Sequence, residues 1–473
     1  GQSNDKLLTM ATATSATSWD DIVSEATYLS FFGRAEYNYS NKYYADFSVR
    51  RDGSSKFGKD ARWANFWSVG AMWNLKSEDF LKDIDWLTNL QLIASIGTSG
   101  NSSIPNYDHT ALFAAGPQYS GKTGIAPYSR GNENLTWEKL MTTNIGVKIG
   151  LFDRLNLNVE FYNKKTTDLL LDCPVPHSTG FTSIFKNIGS VRNQGVDIMV
   201  NGAPIQGDDF TWSSTLNLNY NKNEILALSD TNADVYLYDW VGGGSVLRVG
   251  ESMGSFWGLE RKGVYTLEDY KAGACEKTQI GRAKRSDEKT IIGKGLPDWT
   301  GSWINNFSYK NFDLTVDLQF VWGVETLQRF MCTTNDRFGI TNGLKGVLYD
   351  AYDGTNPETM QPMIYLASGA HFGEEHAGQD ITSDSGWVAN GSYLRCNMVQ
   401  LGYTFNSQLI KKIGLSGLRL YASGNNLFQI VSKDFLGYDP ESSSETSGKF
   451  GQNMTFFSYP RARTFTLGVN VTF

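Results

Sequence analysis

Two short segments of this sequence contain residue types that bind metal ions. HFGEEH (His371–His376) places two histidines beside two glutamates, but the spacing is not His-Glu-x-x-His and no helical pattern surrounds it. DTNADV (Asp230–Val235) begins like a calcium-binding loop, but it lacks glycine at the sixth position and has Val241 where the bidentate glutamate belongs. We read both segments as polar loops and predict no cofactor. A structural cation bound by other loop oxygens remains an alternative.

Nucleotide-binding and catalytic patterns are equally weak. VGGGSVLRVG (Val241–Gly250) is rich in glycine but does not end in the Gly-Lys-Ser/Thr of a phosphate-binding loop. The four cysteines, Cys173, Cys275, Cys332 and Cys396, are far apart, which argues against zinc or haem and leaves either one disulfide or four thiols. No Ser/His/Asp arrangement stands out. The sequence therefore predicts a protein that is not an enzyme.

Aromatic residues between the predicted strands are the candidates for ligand or partner contacts. Aromatic faces stack well on sugar rings and on other bulky ligands. The plainer alternative is that each ring packs within its own loop. The candidates are Trp240, Trp257, Tyr265, Tyr352 and Trp387.

The composition favours a β protein. Of the 473 residues, 40% are hydrophobic and 13% aromatic, glycine is frequent and proline is scarce. The net charge of -7, without any basic block, argues against nucleic acid as a partner. No apolar run reaches the roughly 18 residues of a transmembrane helix, and the N-terminal residues do not resemble a signal peptide.

Alternation of polar and apolar residues predicts the elements that carry these segments. In RTFTLGVNVTF (Arg463–Phe473) and in LTVDLQF (Leu314–Phe320), every second side chain is apolar. This period of two marks a strand with one apolar and one polar face. The pattern predicts about thirteen strands, at 27–39, 42–51, 63–74, 88–98, 138–150, 154–165, 193–202, 210–221, 300–309, 312–323, 391–405, 417–428 and 463–473.

The lengths of the strands and of their connections predict a membrane protein. Most strands have ten residues or more, whereas strands in soluble domains usually have about five or six. Tight turns such as Ser40–Lys42, Leu151–Asp153 and Lys310–Asn311 alternate with long segments such as 222–299 and 324–390. We therefore predict an all-β fold, an antiparallel transmembrane β-barrel with short periplasmic turns and long extracellular loops. A large soluble β protein with one wet face is the alternative.

The strand count predicts a chain that continues upstream. Bacterial single-chain barrels have even strand numbers, and thirteen strands put residues 1–26 outside the cell as a partial extracellular loop. Residues 27–473 would then be the C-terminal part of a barrel whose earlier strands lie upstream. In the closing strand the apolar side chains would face lipid. They are Phe465, Leu467, Val469, Val471 and Phe473.

The chain resembles the C-terminal barrel portion of the SusC-like (RagA-type) TonB-dependent transporters of the Bacteroidetes outer membrane. The resemblance covers nearly the whole chain and depends on local motifs in a fixed order, among them GSYLRCNMVQLGYTF (Gly391–Phe405) and GYDPE (Gly437–Glu441). The other segments that carry it are Tyr43–Gly58, Ser68–Leu87, Asn132–Leu171, Asn187–Ile198, Val249–Tyr265, Gly295–Leu314, Leu418–Phe428 and Tyr459–Phe473.

This resemblance implies a transport function. It implies a barrel of about 22 strands with an N-terminal plug and a TonB box. Neither the plug nor the TonB box has a counterpart in this chain. It implies a cell outer membrane location in a Gram-negative bacterium, a SusD-like lipoprotein as extracellular lid, and outer-membrane lipid around the barrel. Cargoes would be mostly oligosaccharides, and peptides for some members. The alternating terminal strand that ends on Phe473 looks like the signal for the barrel-assembly machinery.

Two other functions are compatible with the strand pattern. The first is a passive porin or a surface-interaction barrel, and the second, less favoured, is a soluble β lectin.

Overall fold

A computed structural model describes residues 23–120, 122–181, 183–228, 231–238, 244–335, 342–364, 382–411, 414–441 and 452–473. The chain divides into two compact units, which are described separately. The first contains the described parts of Gly1–Lys148, Glu160–Gln194 and Leu226–Thr231. The second contains those of Ile149–Val159, Gly195–Ile225 and Asn232–Phe473. In the part described, no helix is both long and apolar enough to cross a membrane.

The strands of the N-terminal half are mostly long. They are β1 (Tyr28–Tyr39), β2 (Tyr43–Ser54), β3 (Trp63–Asn74), β4 (Leu87–Asn101), β5 (Leu112–Tyr119), β6 (Lys122–Ser129), β7 (Glu138–Leu151), β8 (Leu155–Thr167), β9 (Leu170–Pro174), β10 (Ser183–Asn187), β11 (Ser190–Gln206) and β12 (Phe210–Ala227).

The C-terminal half mixes long strands with short ones and with brief helices. The strands are β13 (Val235–Tyr238), β14 (Gly244–Leu247), β15 (Ser255–Val264), β16 (Ala283–Lys294), β17 (Trp299–Tyr309), β18 (Phe312–Trp322), β19 (Glu325–Gln328), β20 (Val388–Asn390), β21 (Tyr393–Thr404), β22 (Gly417–Asn425), β23 (Gln429–Val431), β24 (Met454–Thr455) and β25 (Thr464–Thr472). The α-helices are α1 (Leu267–Lys271), α2 (Met331–Thr334), α3 (Lys345–Asp350) and α4 (Ser407–Ile410).

Each of the thirteen predicted strands is present, within a few residues of its predicted bounds at most ends. In each unit, every long strand lies beside the next long strand along the chain. In the first unit the order is β1, β2, β3, β4 and β7, and in the second unit it is β11, β12, β17, β18, β21, β22 and β25. Within these two series, the pairs β1–β2, β2–β3, β12–β17 and β22–β25 are antiparallel. The all-β antiparallel prediction is therefore confirmed.

Short and long connections alternate as the sequence predicts. The turn from β1 to β2 has Ser40 and Asn41 at φ 51° and 55°, the left-handed conformation of a tight hairpin turn. Lys310 has φ 51° in the turn from β17 to β18. In the second unit, long connections run from Trp322 to Tyr393 and from Asn425 to Thr464, and the shorter connection from Thr404 to Gly417 lies between them.

The long strands of the second unit have one apolar and one polar face. Leu216, Trp303 and Leu318 are register partners across β12, β17 and β18, and they form one apolar row. On the opposite face Asn217, Ser302 and Gln319 form the next row, where the Asn217 amide donates to Ser302 Oγ at 3.1 Å. The alternation read from the sequence thus becomes two chemically distinct surfaces.

Above the long strands of the second unit, the connections form their own small sheets, which the sequence pattern does not reveal. Strands β13 to β16 form one antiparallel sheet, and β19 pairs with β20 and, in parallel, with β24. We call these sheets and their connections the loop layer. Its apolar core contains Phe256, Leu327, Phe330, Trp387 and Met454, together with Met331 and Cys332.

Candidate functional site

Most of the predicted ligand-contact aromatics lie inside the loop layer. Trp257 is buried in β15, with the Arg248 guanidinium 4.9 Å from its ring centroid. Tyr352 and Trp387 are buried as well, and the Tyr352 hydroxyl accepts a hydrogen bond from the Leu267 amide at 3.1 Å. Because these three rings are buried, they pack against the protein and do not offer a free face to a ligand.

The remaining predicted contact residues differ in their surroundings. Tyr265 is half-buried, with Lys284 Nζ 5.6 Å from its ring centroid. Trp240 lies outside the described residues. A ligand or partner contact by either residue stays a prediction.

The predicted cation-binding segments are only partly described. HFGEEH (371–376) lies outside the described residues. Of the second segment, Asp234 accepts hydrogen bonds from Arg248 Nη2 at 2.7 Å and from the Tyr236 hydroxyl at 3.0 Å. The Arg248 hydrogen bond lowers the pKa of the Asp234 carboxyl. Among the residues described, no group of three or more His, Cys, Asp or Glu side chains is placed to hold a metal ion.

A cavity of about 370 Å³ opens between the loop layer and the segment that follows β23. Its walls are mainly apolar and include Phe330, Phe435 and Phe457. Its polar lining includes Thr334, Thr455 and Ser458. Small-molecule sites are typically concave, mostly apolar and about 300–1,000 Å³ in volume, so this cavity lies at the lower end of their range. We call it the aromatic cavity.

Fixed contacts hold one wall of the aromatic cavity in place. Gln328, buried in β19, accepts from the Leu436 amide at 2.6 Å and donates to the Asp434 carbonyl at 3.3 Å. The ring of Phe435 folds against Gly437, where an added Cβ would lie 2.7 Å from Phe435 Cζ. Glycine at this position therefore permits the tight path of the wall.

A buried arginine joins the segment after β23 to the sheet. Arg395 of β21 forms ion pairs with Asp439 and Glu441 and donates to Gln429 Oε1 at 2.9 Å. Arg461 approaches Glu441 from the other side, with Nη2 3.2 Å from Oε1. We call this group the arginine cluster. It unites three of the sequence segments on which the family resemblance depends, Gly391–Phe405, Gly437–Glu441 and Tyr459–Phe473.

A second cavity, of about 260 Å³, lies against the arginine cluster. Its lining includes Arg461 and Arg463, and it shares Tyr438 and Asp439 with the aromatic cavity. We call it the basic cavity. Sequence reasoning missed both cavities, because the GYDPE motif shows that carboxylates are present but not which arginine they bind.

The polar face of the second unit contains a wide groove of about 500 Å³. Half of its lining residues carry amides or hydroxyls, including Asn158, Asn219, Ser302, Gln319 and Asn397, and the carboxylates of Asp197 and Asp317 line it as well. The Asn219 amide donates to Asp197 Oδ1 at 2.6 Å. This surface offers many neutral donors and acceptors, which suits a hydrated cargo.

The closing strand β25 pairs with β22, and almost all of its residues are exposed on both faces, so contact of its apolar face with lipid stays a prediction. Phe465, Leu467 and Val469 pair with Gly424, Ala422 and Leu420 of β22. All five residues of the predicted lipid-facing set are exposed in the structure, namely Phe465, Leu467, Val469, Val471 and Phe473. Recognition of this strand by the barrel-assembly machinery stays a prediction.

A comparison with known families identifies this architecture. Residues 3–427 match the family model described as TonB dependent receptor-like, beta-barrel. The chain belongs to this family. The resemblance that the sequence motifs suggest is therefore confirmed, and the predicted barrel corresponds to the barrel of TonB-dependent receptors.

Relatives of known name agree with this assignment. TonB-dependent receptor P3 of Formosa agariphila is 33% identical over 95% of this chain and 46% of its own length. TonB-dependent receptor SusC of Bacteroides thetaiotaomicron is 32% identical over 94% of this chain and 44% of its own length. The structure of the RagAB peptide transporter matches with a TM-score of 0.81 and 29% identity, over 99% of this chain and 50% of that one. The chain thus spans about half the length of these relatives.

Proposed function

We propose that the whole protein is a TonB-dependent importer in the outer membrane of a Gram-negative bacterium. The family match supports this proposal most directly, because it covers most of the chain. The two faces of the long strands also support the proposal, because an apolar surface can contact lipid and a polar surface can line a water-filled lumen. Import of this kind needs binding and conformational gating rather than covalent chemistry.

The proposed cargo is a bulky hydrophilic nutrient, with an oligosaccharide as the first candidate. The groove on the polar face supports it, because sugar hydroxyls hydrogen-bond well to amides such as those of Asn219 and Gln319. A peptide is the second candidate. The observation in its favour is the 29% identity to the RagAB peptide transporter.

Two partners belong to this proposal. A SusD-like lipoprotein would cover the extracellular mouth, and TonB would supply the energy for import. The similarity to SusC supports both partners. The long connections of the second unit offer the surface on which a lid would rest.

A growth experiment tests the import function. The gene is deleted in its source organism and restored as the whole gene, and growth is measured on oligosaccharide and on peptide as the limiting nutrient. We expect growth on one of these nutrients to depend on the gene and to disappear again when TonB is depleted. Gene-dependent uptake that continues without TonB would instead indicate a passive porin. A protein recovered from the soluble fraction as a stable monomer would indicate a lectin.

A further inference from the structure

Two hydroxyl groups that line the aromatic cavity have no hydrogen-bond partner among the residues that the structure describes. Thr455 is only 3% exposed, and among the described residues its Oγ1 has no hydrogen-bond partner. The same holds for Ser458 Oγ, which also lines the cavity. A buried hydroxyl without a partner is unfavourable, so both groups are suited to a ligand that supplies one.

Three phenylalanine rings line the apolar wall of the cavity. Phe330 and Phe435 are buried, whereas Phe457 is 46% exposed and stands at the rim. The Phe330 and Phe457 rings are 6.2 Å apart between centroids. Aromatic rings that pack edge to face or offset gain additional stabilisation, so another ring is a favoured occupant.

The neighbouring basic cavity carries an excess of positive charge. Its arginines are Arg395, Arg461 and Arg463, and the carboxylates that neutralise them are Asp439 and Glu441. Arg463 has no ion-pair partner in the described part of the chain and is exposed. Guanidinium groups bind carboxylates in a planar, two-pronged geometry, so an anionic group is the natural occupant here.

We propose that the aromatic and basic cavities together bind a peptide that ends in an aromatic residue. The aromatic side chain would occupy the aromatic cavity, with the peptide group hydrogen-bonded to Thr455 and Ser458. The terminal carboxylate would bind Arg463 in the basic cavity. Tyr438 and Asp439 line both cavities and would lie beside the bond that connects the two groups. This inference rests on the proposed import function and on the second of its two cargo candidates, a peptide.

Calorimetric titration of the purified full-length protein tests this assignment. The probes are acetyl-glycyl-phenylalanine, its C-terminal amide, and acetyl-glycyl-alanine. We expect the first probe to bind about tenfold more tightly than either of the others, because each of the others lacks one of the two groups. Equal affinities, or no saturable binding of any probe, would overturn the proposal.

Variants assign each part of the ligand to its cavity. In Arg463→Gln the acid and the amide should bind equally, while phenylalanine should still exceed alanine. In Phe457→Ala the preference for phenylalanine should fall, and the preference for the acid should remain. Thr455→Val, which keeps the shape of the side chain, should weaken all three probes by about three- to tenfold.

Two controls keep the result interpretable. Tyr270→Ala changes an exposed aromatic residue of α1 that lines neither cavity, so it should bind the probes as the unchanged protein does. Each variant should also retain the heat-modifiable mobility of a folded barrel. TonB-dependent growth on an oligosaccharide without peptide binding would refute only this inference, whereas peptide binding without TonB-dependent growth would refute only the import function.

Discussion

At the scale of single residues, Glu78 organises the aromatic row at the turn end of the first unit. Its carboxylate accepts hydrogen bonds from the Tyr43 hydroxyl at 2.7 Å, from Trp73 Nε1 at 3.0 Å and from Lys42 Nζ at 3.0 Å. The Tyr43 and Trp73 rings stack with centroids 6.1 Å apart. Aromatic side chains with a polar tip are typical of the membrane interface, and here one carboxylate fixes two of them.

These hydrogen bonds predict a pH dependence that Glu78→Gln should remove. The Tyr43 hydroxyl, followed by Trp73 and Lys42, lowers the pKa of Glu78 from 4.5 to about 2. Because the folded-state pKa is lowered, the carboxylate stabilises the fold above pH 4.5, and this contribution is lost as the pH falls toward 2. Between these pH values, the unfolding midpoint of the full-length protein in urea should therefore fall further than that of Glu78→Gln. Parallel pH profiles would contradict this role.

At the scale of the strand, Tyr421 and Gly468 fix the pairing of β22 with β25. The two residues are register partners, and a Cβ added to Gly468 would lie 2.1 Å from Tyr421 Cζ. Arg419 continues this row with its guanidinium 5.4 Å from the Tyr421 ring centroid, and it forms an ion pair with Asp313 of β18. The closing strand is thus held by side-chain packing as well as by its backbone hydrogen bonds.

This packing predicts strong coupling between the two positions. Gly468→Ala should destabilise the protein by about 1–3 kcal/mol, because the tyrosine ring must move. In the background of Tyr421→Ala the same change should have almost no effect, and a double-mutant cycle on unfolding free energies measures the difference. Gly33→Ala in β1 is the control, since no described atom lies within 4 Å of the added Cβ. Additive effects at 421 and 468 would refute the packing role.

The face assignment of the long strands is tested by arginine substitutions. Arginine at Leu216 or Leu318, on the apolar row, should destabilise the folded state by about 2–4 kcal/mol in lipid vesicles. Arginine at Asn217 or Gln319, on the adjacent polar row, should have a much smaller effect, because water solvates that face. Equal destabilisation on both rows would exclude the assignment of the apolar row to lipid.

The sequence predicts the long strands well and the loop layer poorly, for a physical reason. Alternation in a strand such as β18 is a local pattern, and the 11 residues of this strand match the length of strands that cross a bilayer. In contrast, β24 has only two residues, and its partner β19 lies more than a hundred residues earlier. Such a pairing leaves no periodic signal. The burial of Arg395 could not be predicted either, because a lone arginine in a sequence is normally expected at the surface, whereas Arg395 is only 2% exposed.

At the scale of the whole molecule, different interactions hold the loop layer and the long strands. The loop layer of the second unit depends on a buried carboxylate, Asp384, which pairs with Arg261 at 2.8 Å and with Arg285 at 2.5 Å. Its backbone neighbour Gly386 also donates to Asp384 Oδ1 at 2.9 Å. These contacts join β15 and β16 to the segment before β20. The long strands depend instead on their hydrogen-bonded ladder.

This separation predicts that the loop layer can open while the long strands stay folded. Asp384→Asn leaves the buried Arg261 and the half-buried Arg285 without a full counter-charge, and breaking a buried pair typically costs about 3–5 kcal/mol. Amide exchange in Ser255–Val264 and Ala283–Lys294 should therefore accelerate by at least about a hundredfold, while exchange in Phe312–Trp322 stays unchanged. Asp79→Asn, in an ion pair whose carboxylate is 85% exposed, should change neither region. Equal acceleration in the long strands would show that both parts open together, so that the loops could not rearrange around a cargo independently of the barrel.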